Sequence, residues 1–135
     1  MKSLVVDPSI TGQRIAANLL RRAGCDEVVL ACGLTEALQH WEDESLPPID
    51  LVVTEWDLAE GTGLELVRQL KQRPEGSRPS VLMHTARNAR EEVTEAITAG
   101  VDAYVLKPPD PGTLMARIDA LLEPARRAAE NEAAA

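Results

Sequence analysis

The sequence predicts an α/β fold, a doubly wound parallel sheet with helices on both faces. Two observations lead there. Short apolar runs alternate with helix-period patterns five times along the 135 residues, as expected of repeated strand–helix units. The runs are also apolar and β-branched throughout, as in strands covered on both sides. Composition agrees: 44% apolar and 27% charged residues suit one globular domain able to bury a real core. The chain has no Phe, so aliphatic side chains must fill that core.

Each element follows from local chemistry. "SLVVD" (3–7) is the first strand. Ile15, Leu19, Leu20 and Ala23 recur behind it at helical spacing, and Gly24 ends that helix. "EVVLAC" (27–32) is the second strand, and "TEALQHWEDE" (35–44) is the second helix, capped by Thr35. The breaker Pro47-Pro48 precedes the third strand, "IDLVVTE" (49–55). Leu64, Val67 and Leu70 mark the inner face of a third helix, and "PEGSRP" is a polar loop. "SVLMHT" (80–85) is the fourth strand. The fourth helix, 88–99, turns Val93, Ala96 and Ile97 inward and stops at Gly100. "DAYVLK" (102–107) is the fifth strand, and a helix over 111–123 is buried through Leu114, Ile118, Leu121 and Leu122. Pro124 should interrupt or end that helix. Residues 1–123 then form the domain, and 124–135 an Ala-rich tail or short extra helix.

Charge and composition exclude several functions. A net charge of −8 argues against a nucleic-acid partner, since such affinity comes largely from cationic contacts to phosphate. Cys25 and Cys32 lack CxxC spacing, and His40 and His84 stand alone, so a zinc site is not expected. The cysteines read as small buried thiols in a reducing compartment. Nothing resembles a signal peptide or a membrane-spanning run of about 18 apolar residues, which points to a cytoplasmic chain with no membrane partner.

Doubly wound sheets gather functional groups beyond the carboxyl ends of their strands. Here those ends are Asp7, Glu55, Thr85 and Lys107. Two acids, a hydroxyl and an ammonium should therefore meet at one edge. A carboxylate ending an apolar strand requires either solvent or a charged partner.

The stretches "LVVD" (4–7), "DLVVTEWDLAEGTGLELV" (50–67), "VLMHTA" (81–86) and "GVDAYVLKP" (100–108) resemble the receiver domain of two-component response regulators, its single-domain chemotaxis member in particular. The likeness spans roughly residues 2–123. It implies a flavodoxin-like (βα)5 sheet in the order 2-1-3-4-5 and a role in phosphorelay signal transduction. In that family an Asp ending strand three takes a phosphoryl group from a histidine kinase, and paired acids after strand one help hold Mg²⁺. A Thr or Ser after strand four and a Lys after strand five contact the phosphoryl oxygens, while an aromatic residue reports the state to partners. By position, the resemblance makes Glu55 the phosphoacceptor position, Thr85 the switch hydroxyl, Tyr104 the switch aromatic and Lys107 the cation. It also implies a cis bond at Lys107-Pro108, where proline makes one accessible.

Two departures shape the functional expectation. Glu55 replaces the Asp, and Pro8 replaces the second acid after strand one. Asp57 occupies the loop position whose carbonyl usually faces the metal, and Ala59 replaces the usual loop proline. The extra methylene carries the Glu55 carboxylate outward by about 1.5 Å. A displacement of about 1 Å can slow group transfer on the order of 100-fold. Pro8 offers a hard cation no side-chain ligand. Asp7 and Asp57 remain as the acidic pocket, with no cofactor expected beyond weak Mg²⁺ held by Asp7, Glu55 and Asp57.

The sequence thus predicts a non-enzymatic pseudo-receiver, a protein-interaction module with Glu55 as partial phosphomimetic or as passive ion-pair partner of Lys107. The alternative is a functional phosphoacceptor using Glu55 or a nearby acid with a weakened Mg²⁺ site. A phosphohydrolase or nucleotide-binding enzyme is a third class, but the second Asp of a DxD pattern and any phosphate-binding glycine loop are missing. Trp56 either covers the pocket or seals its loop. His84 should point to the face opposite Thr85. Expected partners are a histidine kinase, scaffold or effector, met through helix four, strand five and helix five. A homodimer, and an output domain after residue 135, are left open.

Overall fold

The computed structural model describes residues 1–134. Five parallel strands build the sheet: β1 (Lys2–Val6), β2 (Glu27–Ala31), β3 (Leu51–Thr54), β6 (Ser80–Thr85) and β7 (Ala103–Leu106). The remaining pair, β4 (Asp57–Leu58) and β5 (Gly61–Thr62), forms a small antiparallel ribbon after β3. The sheet order is β2-β1-β3-β6-β7, which is 2-1-3-4-5 counted along its own strands. Five helices cover it: α1 (Ile10–Arg22), α2 (Leu34–Glu42), α3 (Gly63–Leu70), α4 (Arg90–Ala99) and α5 (Pro111–Ala134). The expected doubly wound fold and strand order are therefore observed.

Side-chain alternation divides the core in two. Leu4, Val6, Val52, Val81 and Met83 pack on one face with Leu66, Val67 and Leu70 of α3 and Ala96 of α4. Val5, Leu51, Val53, Leu82 and Val105 pack on the other, with Leu20 of α1 and Leu114, Ile118 and Leu122 of α5. Near-continuous burial along β1, β3 and β6 explains their apolar runs.

Four local expectations are corrected. Pro124 does not end the last helix: α5 runs unbroken through it. Proline's fixed φ is itself helical, and what it lacks is one N–H donor. Past the proline, Arg126 donates to the Asp119 carbonyl (3.3 Å) and carboxylate (2.6 Å) and to the Ala23 carbonyl at the end of α1 (2.7 Å). Ile97 is exposed, because α4 buries only the small Ala96 against the sheet. Cys32 is exposed while Cys25 is buried, since β2 is an edge strand and Cys32 lies just past its end. Gly33, not Thr35, is the N-cap of α2, and the Thr35 hydroxyl instead donates to Glu60 (3.1 Å).

Candidate functional site

The strand ladders extend one residue beyond the strands and fix three of the expected groups. Asp7 N–H donates to the Ala31 carbonyl (2.9 Å), Glu55 N–H to Val6 (2.8 Å) and Lys107 N–H to Thr85 (2.9 Å). Backbone pairing thus brings Asp7, Glu55 and Lys107 to one rim. Behind Glu55, Gly63 N–H donates to the Trp56 carbonyl (2.7 Å). A Cβ at residue 63 would lie 2.3 Å from the Glu55 carbonyl oxygen, so the close approach there requires glycine.

The ammonium of Lys107 joins the two acids. Its Nζ donates to Asp7 Oδ2 (2.6 Å) and to Glu55 Oε1 (3.2 Å). The second oxygen of each acid is also engaged: Asp7 Oδ1 accepts Ser9 N–H (2.8 Å), and Glu55 Oε2 accepts Trp56 N–H. Burial pulls the Lys107 pKa down, but the bond and charge of Asp7, with help from Glu55, outweigh it and leave it raised. The buried side chain of Gln13 donates to the Asp7 carbonyl (2.7 Å), steadying the start of α1.

Thr85 is buried at the same edge, yet it engages a different group. Its hydroxyl oxygen accepts Arg87 N–H (3.3 Å), and no hydrogen bond links it to Glu55 among the described residues. Arg87 dominates the outer rim. Its guanidinium donates to both oxygens of Asp57 (2.8 and 2.6 Å) and to Glu92 (2.6 Å), and lies over the Trp56 ring at 5.2 Å. These bonds hold the Asp57 pKa low and the Arg87 pKa high. Trp56 is buried and packs into the core cluster on the α3 side of the sheet. The half-buried Tyr104 donates its hydroxyl to the Arg87 carbonyl (2.6 Å), and burial, then the charge of Glu92, raises its pKa.

Asp57 therefore does not share an acidic pocket with Asp7; its carboxylate is claimed by Arg87 on the outer rim. The donor set does not fit Mg²⁺. Pro8 supplies no side-chain oxygen, Asp57 is turned away, and Asp7 and Glu55 already share an ammonium. Among the described residues, no group of three or more His, Cys, Asp or Glu side chains could hold a metal ion. Lys107-Pro108 is cis, as the resemblance implied.

His84 lies in β6 between Met83 and Thr85 and shares the face of Leu82. It is only 2% exposed, and burial followed by the Lys107 charge lowers its pKa to about 4. Arg87, Glu92, Gln13 and Gly12 went unnoticed in the sequence. Only Ser9, the side-chain cap of α1, carried a local signal, as a serine just before a helical pattern.

Comparison with known proteins agrees with this geometry. Residues 4–119 match the family model described as response regulator receiver domain. The chain is 32% identical over 123 residues to chemotaxis protein CheY1 of Helicobacter pylori, covering 90% of this chain and 97% of that protein. It is 35% identical over 125 residues to a chemotaxis protein CheY homolog of Campylobacter jejuni, covering 90% and 92% respectively. Among solved structures, the chemotaxis response regulator CheY4 of Vibrio cholerae superposes with a TM-score of 0.77 at 26% identity, over 90% of this chain and 98% of that one.

Proposed function

The chain belongs to the response regulator receiver domain family, and on that premise we propose that it is an atypical member. In this reading it serves two-component signalling mainly by docking proteins, with Glu55 in place of a phosphoaccepting aspartate. The observation that carries the proposal is the shared cation: Lys107 lies within 3.2 Å of Glu55 and 2.6 Å of Asp7. An ammonium that would meet phosphoryl oxygens already faces two carboxylates. The remaining oxygen of Glu55 accepts a backbone N–H, which further holds it in place.

We read the Glu55–Lys107 contact as a passive ion pair and not as a phosphoryl mimic. A phosphoryl group brings close to two charges and three oxygens, and one carboxylate supplies neither. Glu55 also makes no bond to Thr85. Tyr104 is anchored through the Arg87 carbonyl, independently of Glu55. Docking is assigned to α4, β7 and α5, where exposed Ile97 and Leu106 accompany Tyr104. The natural partners are a histidine kinase, scaffold or effector in the cytoplasm, and the chain itself turns over no substrate.

Incubation of the protein with acetyl phosphate and Mg²⁺, read by intact mass, tests this. The parent should gain no phosphoryl group, and the double variant Pro8→Asp/Glu55→Asp should gain one. A parent that becomes phosphorylated, with the modification lost in Glu55→Gln, would overturn the proposal in favour of a glutamyl phosphoacceptor.

A further inference from the structure

We propose that the cleft between the α2–β3 and α3–β6 connections binds a small zwitterion with an apolar body, of the class of the aromatic and aliphatic α-amino acids. The cleft holds about 400 Å³, within the range for small-ligand sites. Trp41, Leu46, Pro47, Pro48 and Ile49 give it mainly apolar walls, and His40 adds an imidazole. Fixed charge enters from two sides. Arg73 belongs to the connection after α3, and Asp43 and Glu44 to the connection after α2. The cation and the acids line one cleft without meeting, since Arg73 forms no ion pair with either acid among the described residues.

Each side keeps capacity for a ligand. The Arg73 guanidinium lies over the Trp41 ring, 4.6 Å from its centroid. Stacking occupies the flat face of the group and leaves the N–H donors at its edge free for a carboxylate. The Arg73 carbonyl accepts Arg78 Nε (2.6 Å), which steadies this connection. Across the cleft, Asp43 Oδ1 accepts the hydroxyl and the N–H of Ser45, which hold the Asp43 pKa low and keep it ionised. Its Oδ2 and the Glu44 carboxylate accept no bond from the described residues, so both can receive an ammonium. A plain anion would gain Arg73 but face two acids, and a plain cation would gain the acids but face Arg73. A molecule carrying both charges gains from each side, while its apolar body covers Trp41 and the exposed Leu46. The two connections lead into the amino-terminal ends of β3 and β6, at the opposite edge of the sheet from Glu55. The proposal therefore stands whether or not Glu55 accepts phosphate.

The test titrates L-phenylalanine into the isotopically labelled full chain, with 3-phenylpropanoate as the analogue lacking the ammonium and 2-phenylethylamine as the one lacking the carboxylate. Amide shifts should saturate and centre on Trp41, Asp43, Glu44 and Arg73, with L-phenylalanine preferred at least about tenfold over either analogue. Arg73→Gln should erase the preference over 2-phenylethylamine, and the double variant Asp43→Asn/Glu44→Gln the preference over 3-phenylpropanoate. The proposal fails if L-phenylalanine does not saturate, if either analogue binds as well, or if the preferences survive these substitutions. Asp43 and Glu44 are exposed, so the double variant decides the matter should Arg73→Gln not fold.

Discussion

Two charged clusters stand on the same rim with the same shortest contact, 2.6 Å for both Lys107–Asp7 and Arg87–Asp57. They differ in access to water. The inner side chains of Lys107, Asp7 and Glu55 are 18%, 5% and 14% exposed, whereas those of Arg87, Asp57 and Glu92 are 40%, 61% and 25% exposed. Distance alone would rank the pairs as equals. Solvent screening makes the outer pair worth little, and its absence makes the inner acids dependent on their cation.

The sharpest way to break this contrast is Lys107→Met. It leaves two shielded carboxylates facing each other and should cost about 3 kcal/mol in urea unfolding at pH 7. A loss no larger than that of a surface pair would erase the distinction.

His84, on the inner side of the rim, tests burial in a second way. Its folded pKa of about 4 lies below its ordinary 6.5. Between those values the unfolded chain binds a proton that the folded chain refuses, so stability must fall as pH drops through that window. The expected loss is about 3 kcal/mol, and His84→Leu should flatten that part of the profile.

Asp7→Asn should cost about 1 kcal/mol, because the amide oxygen still accepts from Ser9 and Lys107 keeps Glu55. The smallest effect belongs to the outer cluster. Asp57→Ala should change stability by less than about 0.5 kcal/mol, with that change vanishing at high salt. Trp56 fluorescence would still report the loosened Arg87 above it.

The sequence carried the sheet and the inner cluster for the same reason. Apolar runs locate buried parallel strands, and the ladder then places whatever residue follows each strand, which is how Asp7, Glu55 and Lys107 could be named. The outer cluster was not legible. Asp57 of β4 meets Arg87, in the connection after β6, 30 residues away, and no periodicity links them. Pro124 misled because its fixed φ is itself helical, so α5 continues past it with the loss of one N–H donor. Arg126, two residues further on, ties the continued helix to the Ala23 carbonyl 103 residues earlier in the chain. Ile97 misled because helical spacing alone does not reveal how narrow a seam α4 presents.

That arginine has a consequence for where the folded unit ends. The match to the family stops at residue 119, whereas the clasp on the Ala23 carbonyl at the end of α1 is made at residue 126. Trimming the chain to its recognisable portion would unfasten the first helix by cutting the fifth.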